Sequence, residues 1–97
     1  MIMISLFPRV GSFAENKDVA RDIRIKKIIP ALERGQNVTL DFSNVDSATQ
    51  SFVHALISDL IRQHGSEVLD RIRFKSCSET VQKIITIVTD YTQEGMQ

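Results

Sequence analysis

The residues best suited to chemistry lie in a polar turn in the middle of the chain. Residues 44–51 carry hydroxyl, amide and carboxylate side chains, and an apolar helical pattern begins directly after them. A helix that starts there points unpaired backbone amides and the positive end of its dipole at the turn. That arrangement favours an anion by roughly 0.3–1 kcal/mol per charge at an exposed site. The candidate binding residues of this turn are Asp46, Ser47, Thr49, Gln50 and Ser51.

The start of that helix has two possible registers. Ser47 followed by Gln50 fits a capping box, whereas Thr49 alone fits an N-cap with Phe52 at the third helical position. In both registers the hydroxyl side chains also have a purely structural use, since Ser and Thr cap helices. The sequence therefore leaves capping and binding open for the same residues.

The helix predicted over residues 49–64 and ended by Gly65 has an apolar arc that covers close to half of its circumference. An arc wider than about 100° indicates either deep burial between a sheet and another helix or a surface that also contacts a partner. Homodimerisation through this face is compatible with the second reading. The arc contains Phe52, Val53, Leu56, Ile57, Leu60 and Ile61, and the opposite face contains Ser51, His54, Ser58 and Arg62.

A second polar cluster lies around the start of the first long helix, and it contains Asn16, Lys17, Arg21 and Arg24. Two arginines three residues apart share a helix face and can grip a carboxylate or phosphate, although ion pairing with nearby acids is the plainer use. We expect the cluster to sit beside the Thr49–Ser51 turn and to extend its binding surface. Asp41, at the end of a strand, either binds a ligand or caps a loop.

Other chemistry has little support in the residue spacing. Ser51 and His54 could pair as nucleophile and base, but no third member or oxyanion hole is indicated, so we expect no enzyme. The two histidines are ten residues apart and Cys77 has no nearby Cys or His, so no metal is expected. No glycine-rich nucleotide loop is present, so no cofactor is expected. Cys77 itself is either activated by a helix start or buried as a small apolar group.

Composition restricts the class of protein. The 97 residues predict one domain over 1–97, and 12 basic against 12 acidic residues argue against a broad nucleic-acid surface. A single cysteine suggests a reducing compartment. The apolar start of the chain is too short for a signal peptide or a membrane span, so we expect a cytoplasmic protein with no membrane contact.

The hydrophobic pattern predicts an α/β fold in the order βαβαβα, with a mixed or mainly parallel sheet and right-handed crossovers. Strands are expected at residues 2–7, as an edge strand, 38–42 and 71–75. Helices are expected at residues 18–34, ended by Gly35, at residues 49–64, and from a capping box at Ser76 and Glu79 to about Tyr91. Pro30 predicts a kink or a fresh helical start. The core stripe of the first helix is expected at Ile25, Ile28, Ile29 and Leu32, and residues 92–97 are expected to fray. The core stripe of the last helix is expected at Val81, Ile84, Ile85 and Val88.

The stretch Leu-Asp-Phe-Ser-Asn-Val at residues 40–45, followed within a few residues by a helix, resembles the STAS domains of anti-sigma-factor antagonists and sulfate transporters. The whole chain is similar to a STAS-like family of unknown function. The similarity lies in the order of several short stretches, namely residues 11–18 with Arg21 and Arg24, 30–32, 38–42, 48–52, 54–56 and 74–75 with Cys77.

The resemblance implies a regulatory protein–protein interaction module whose turn docks a kinase-like or ATPase-like protein. In anti-sigma antagonists an Asp-Ser-Ser-Gly turn opens the helix, and its first serine is phosphorylated by a partner kinase. Those positions correspond here to Thr49, Gln50, Ser51 and Phe52, so the expected acceptor is missing and Ser51 or Thr49 would have to substitute. The alternative function is a small-ligand or nucleotide sensor that uses the same helix N-terminus as an anion site.

Overall fold

Five strands lie within residues 2–94, the part of the chain that this computed structural model describes, with side chains described to residue 92. Three of them, β1, β3 and β5, form a parallel sheet in the order β1-β3-β5, so that β1 lies at an edge as predicted. Val38, Thr39 and Leu40 on the central strand are all buried, and since successive side chains point to opposite faces, both faces of this strand are covered. The strands are β1 (Ile2–Ser5), β2 (Phe13–Ala14), β3 (Val38–Asp41), β4 (Ser47–Ala48) and β5 (Ile72–Lys75).

The other two strands form a small sheet that the sequence did not predict. β2 pairs in parallel with β4, with Phe13 opposite Ser47 and Ala14 opposite Ala48. The Thr49 amide then donates to the Ala14 carbonyl at 2.9 Å. This pairing ties the polar turn to the segment that leads into the first long helix, so it positions both halves of the predicted site.

Helices surround the sheet, and two of them contain a π-helical turn. The first long helix runs from α2 through a π segment to α3, which restarts at Ile29 beside Pro30, and the second runs from α4 through a π segment to α5. The helices are α1 (Phe7–Val10), α2 (Lys17–Ile23), α3 (Ile29–Glu33), α4 (Gln50–Val53), α5 (Asp59–His64) and α6 (Glu79–Glu94); the first π segment is Arg24–Ile28, the second is His54–Ser58, and a 3₁₀ helix spans Ser66–Arg71.

The π segments shift which side chains face the core. In the first long helix Ile23 and Ile28, five residues apart, are both buried, whereas Ile25 is 46% exposed, so the predicted stripe was wrong at Ile25. In the second, Val53 and Ser58 are buried at the same spacing, and Ser58 was wrongly assigned to the outer face. A π turn holds more residues than an α turn, so the face rotates relative to a 3.6-residue pattern.

The apolar arc of the second long helix is buried within the domain. Phe52, Val53, Leu56, Ile57, Leu60 and Ile61 all have no solvent exposure. Deep burial, rather than a partner surface, is therefore the correct reading of this arc.

The predicted capping box at Ser76 was wrong. Ser76 has a positive φ of 57°, and it is the Ser78 hydroxyl that accepts a hydrogen bond from the Val81 amide at 3.1 Å. The last helix therefore begins two residues later than that box implied and continues to Glu94. Residues 95–97 of the predicted frayed tail lie outside the described part of the chain.

Candidate functional site

Thr49 is the N-cap of α4. Its backbone is extended (φ −83°, ψ 157°), and its hydroxyl oxygen accepts a hydrogen bond from the Phe52 amide at 3.1 Å. The alternative capping box of Ser47 with Gln50 was wrong, because Ser47 is held in β4. The Thr49 hydroxyl is thus occupied by its own helix, while Gln50 and Ser51 on the first turn remain exposed.

A groove of about 440 Å³ runs beside this first turn, and we call it the α4–α6 groove. One side is polar and comes from the start of α2 and from the second long helix. The other side is apolar and comes from α6, where Ile87 is 47% exposed and Tyr91 is 68% exposed. The lining residues are Lys17, Gln50, Ser51, His54, Ala55, Ile87, Val88 and Tyr91.

A second groove, of about 340 Å³, adjoins the first, and we call it the α2 groove. Lys17, His54 and Ala55 line both grooves, so the two form a continuous surface. The structure therefore places Lys17, Arg21 and Arg24 next to the surface that holds Gln50 and Ser51. The lining residues of the α2 groove are Lys17, Asp18, Arg21, Arg24, His54, Ala55, Ser58 and Asp59.

Arg24 is engaged within the domain. Its guanidinium donates to the carbonyl oxygen of Ala55 at 2.5 Å and forms an ion pair with Asp59 at 3.1 Å. The side chain lies in the first π segment and its carbonyl partner lies in the second, so this arginine connects the two irregular turns. Arg21 is exposed and lines the α2 groove, and no carboxylate of the described residues lies within ion-pair distance of it.

Besides Thr49, four predicted residues line neither groove. Asn16 caps α2, because its side-chain oxygen accepts from the amides of Asp18 at 2.9 Å and Val19 at 3.3 Å. Ser47 belongs to β4, and the Asp46 carbonyl oxygen accepts from the Ser78 hydroxyl at 2.8 Å. The fourth is Asp41, which closes a loop at the end of β3.

The Asp41 carboxylate has the loop-capping role that the sequence left open. It accepts hydrogen bonds from the Ser43 hydroxyl at 2.6 Å and from the Ser43 amide at 2.9 Å. These bonds, the hydroxyl first, hold the pKa of Asp41 below its ordinary value, because they favour the charged carboxylate. Asp41 therefore fixes the start of the turn and does not reach the grooves.

The Cys77 thiol is half-buried and sits near the end of β5. Burial, together with the negative charge of Asp41, raises the pKa of this thiol above its ordinary value. The side chain packs against the edge of the core, which favours the interpretation of Cys77 as a small apolar group. Within the described residues, no group of three or more His, Cys, Asp and Glu side chains is arranged to hold a metal ion.

The apolar wall of the α4–α6 groove was missed by the sequence reasoning. The core stripe of the last helix was predicted through Val81, Ile84, Ile85 and Val88, which left Ile87 and Tyr91 unassigned. The signal was present, since residues 84, 87 and 91 follow a helical spacing of three and four and form a second stripe beside the first. Two adjacent apolar stripes on one helix indicate an apolar face that is wider than packing against the core alone requires.

The fold and this grooved surface define a small parallel α/β domain with its candidate site where β3 and β4 lead into the second long helix. Comparison with known families matches residues 19–82 to the STAS-like domain of unknown function (DUF4325). The match covers more than half of the chain, and the chain belongs to this family. It includes the turn and both π segments, whereas Lys17, Ile87 and Tyr91 lie outside the matched residues.

Comparisons with curated proteins and with solved structures gave no match. No helix in the described part of the chain is long and apolar enough to cross a membrane.

Proposed function

We propose that this protein is a regulatory protein–protein interaction module that docks a partner protein in the α4–α6 groove. The observation that supports it most is the pair of exposed apolar side chains, Ile87 and Tyr91, that faces a polar edge formed by Lys17 and Ser51. Protein interfaces combine an aromatic or aliphatic centre with a polar rim, and tyrosine is enriched among the residues that dominate binding energy. The groove has both parts.

Ser51 is the proposed regulatory residue of this groove. It is exposed on the first turn of α4, whereas the Thr49 hydroxyl is already used as the helix cap. Phosphorylation would add about −1.5 to −2 charges beside the apolar wall. Because a charged group is costly to bury in an apolar contact, phosphorylated Ser51 blocks docking. Phosphorylation needs a kinase, so the partner or a protein associated with it is kinase-like.

A matched pair of variants tests the docking surface. Ile87→Asp and Ile25→Asp make the same chemical change at side chains that are 47% and 46% exposed, but only Ile87 lines the groove. With the tagged full chain as bait in its native cell, we expect a stoichiometric protein partner that is captured by wild type and Ile25→Asp and lost by Ile87→Asp. Thermal melts of both variants show whether the fold is retained. Undiminished capture by a folded Ile87→Asp contradicts the proposed surface.

A second set of variants tests the regulation. Ser51→Ala should capture the partner as wild type does, whereas Ser51→Glu should weaken capture by about tenfold because it places a charge at the groove. Ser66→Glu, at an exposed serine outside both grooves, is the control. Intact-mass analysis of the protein from its native cell should show a phosphorylated fraction that is absent in Ser51→Ala. Equal binding by Ser51→Glu and wild type removes Ser51 from the mechanism.

The alternative is a small-ligand or nucleotide sensor in the same groove. Its volume of about 440 Å³ is that of a ligand site, and Lys17, Ser51 and His54 supply polar contacts beside an apolar wall. A thermal-shift screen with nucleotides separates the two functions. A nucleotide at about 100 times its dissociation constant should raise the free energy of unfolding by about 2.7 kcal/mol, and Lys17→Ala should lose that gain. No shift with any nucleotide supports the protein partner.

A further inference from the structure

A different surface of the domain, along the free edge of β1, has features of a peptide-binding site. In the part of the chain that the structure describes, β1 is the outer strand of the three-stranded sheet and pairs only with β3. The Ile2 amide donates to the Asn37 carbonyl and the Leu6 amide donates to the Asp41 carbonyl. Since backbone groups alternate sides along a strand, the amides and carbonyls of Met3 and Ser5 point to the open side.

A groove of about 590 Å³ follows this edge, and we call it the β1-edge groove. All four residues of β1 line it, and Ile23 and Ala31 of the first long helix form an apolar part of the opposite wall. Met3 is 55% exposed beside it, which leaves the strand accessible. A strand rises about 3.3 Å per residue, so β1 offers a ladder of about 13 Å to a second strand.

The charge of the groove is positive. Among the described residues, four cationic side chains line it and no acidic one does: Arg9, Lys26, Lys27 and Arg34. Asp22 forms ion pairs at 3.0 Å with Arg9 and with Lys26, and these two contacts, that of Lys26 first, lower the pKa of Asp22 below its ordinary value. Among the residues that the structure describes, Lys27 and Arg34 have no carboxylate within ion-pair distance. The groove therefore retains uncompensated positive charge.

We propose that the β1-edge groove binds an acidic, extended segment of a partner protein, which adds to the sheet as a strand beside β1. Strand addition uses the open backbone groups of Met3 and Ser5 for affinity, and alternate side chains of the added strand for specificity. Acidic side chains of the segment pair with Lys27 and Arg34. A second copy of this chain fits less well, since pairing two β1 edges would bring two positive grooves together.

Synthetic peptides test this site on the full chain. The binding peptide is blocked at both ends, has about six residues, the usual strand length, and alternates glutamate with valine. One control peptide replaces the glutamates by lysines. The other control is made in two versions, each with N-methyl groups on the alternate amides of one edge of the peptide. The version that is methylated on the edge facing β1 cannot pair with the strand. We expect the acidic peptide to bind at ~50 mM ionic strength, with amide NMR shifts at Met3 and Ser5. Both the lysine peptide and one N-methylated version should bind about tenfold or more weakly.

Charge reversal on the protein provides a separate test. The double variant Lys27→Glu with Arg34→Glu should weaken binding of the acidic peptide by about tenfold or more. The matched control, Arg62→Glu with Lys83→Glu, changes the net charge equally at exposed residues outside the groove and should bind as wild type does. Thermal melts of both variants verify folding.

Several outcomes overturn the proposal. If both N-methylated peptides bind as well as the parent, the groove is a plain electrostatic patch. If a short oligothymidylate binds more tightly than the acidic peptide, the ligand is a nucleic acid. If the acidic peptide does not bind at all, the lysines and arginines only protect the edge strand from aggregation, a common use of charge at sheet edges.

Discussion

Thr49 is the residue that caps the helix, a role for which the sequence left both Thr49 and Ser47 as candidates. Its hydroxyl caps the helix that opens the candidate site, and it accepts from the Phe52 amide. Periodicity and cap preference could not choose between Thr49 and Ser47, because the choice depends on the pairing of β4 with β2, two segments more than thirty residues apart in the sequence. The polar character of the turn could be predicted from the sequence, whereas the register of the helix start depends on a tertiary contact.

Removing this cap should cost measurable stability. Thr49→Ala should lower the free energy of unfolding by about 0.5–2 kcal/mol, since it leaves an amide of the first helical turn without its acceptor. Thr49→Ser keeps the oxygen and should recover most of the loss. Urea denaturation measures both, with Ser47→Ala as a control that should change stability by less than about 0.5 kcal/mol. A larger loss from Ser47→Ala than from Thr49→Ala would mean that the cap is misassigned.

Asp41 gives a pH-dependent prediction. Because the folded-state pKa of Asp41 is lowered, its contribution is present above the ordinary carboxyl pKa and is lost as the pH falls through the folded value. Asp41→Asn keeps an accepting oxygen but not the charge. The variant should therefore be less stable than wild type near pH 7, and the difference should shrink below about pH 4.

Urea midpoints at about pH 7 and about pH 3 measure this effect, within the range where the protein stays folded. Asp46→Asn removes an exposed carboxyl of the same loop that makes no hydrogen bond or ion pair among the described residues, and it is the control. A stability difference between wild type and Asp41→Asn that is the same at both pH values would contradict the assigned role of the charged carboxylate.

At the scale of elements, the two π segments explain where the sequence reading was right and where it was wrong. Long apolar patterns located both long helices, and Gly35 and Gly65, each with φ of 80°, follow their ends as predicted. A 3.6-residue period cannot indicate an inserted residue, so Ile25 and Ser58 were placed on the wrong faces. Local spacing is enough to predict that a helix forms. The extra residue of a π turn cannot be predicted in this way, because it depends on contacts between helices.

Arg24 is the contact that joins these irregular turns, and its loss should show in stability. Arg24→Ala should lower the free energy of unfolding by about 1–3 kcal/mol, because the Ala55 carbonyl loses its side-chain donor and Asp59 loses its partner. Arg21→Ala, on the same helix but exposed, should change it by less than about 0.5 kcal/mol. Equal effects of the two variants in chemical denaturation would show that Arg24 does not bridge the helices.

At the scale of the whole molecule, the alternating strands and helices were enough to predict a parallel α/β domain. Only the polar half of the candidate site could be predicted from the sequence. The polar half comes from the second long helix and from Lys17 at the start of α2, and the sequence indicated these residues as binding candidates. The apolar half, Ile87 and Tyr91, comes from a helix at the other end of the chain, and only the docking of α6 brings it beside Ser51.

The domain also presents two distinct surfaces. The α4–α6 groove combines apolar and polar side chains, whereas the β1-edge groove is positively charged and lies along a free strand. The residues that line one do not line the other. A variant in one groove should therefore leave binding at the other unchanged, which allows each proposed interaction to be tested separately.

Site-specific photo-crosslinking in the native cell tests docking in the α4–α6 groove most directly. A photoreactive amino acid replaces Tyr91, at the edge of the α4–α6 groove, or Ile25, an exposed apolar position outside it. We expect a discrete crosslinked protein from position 91 that is absent from position 25 and diminished by Ser51→Glu. Crosslinks of equal yield from both positions, or none from position 91 when the partner is captured from the same cells, would contradict docking in this groove.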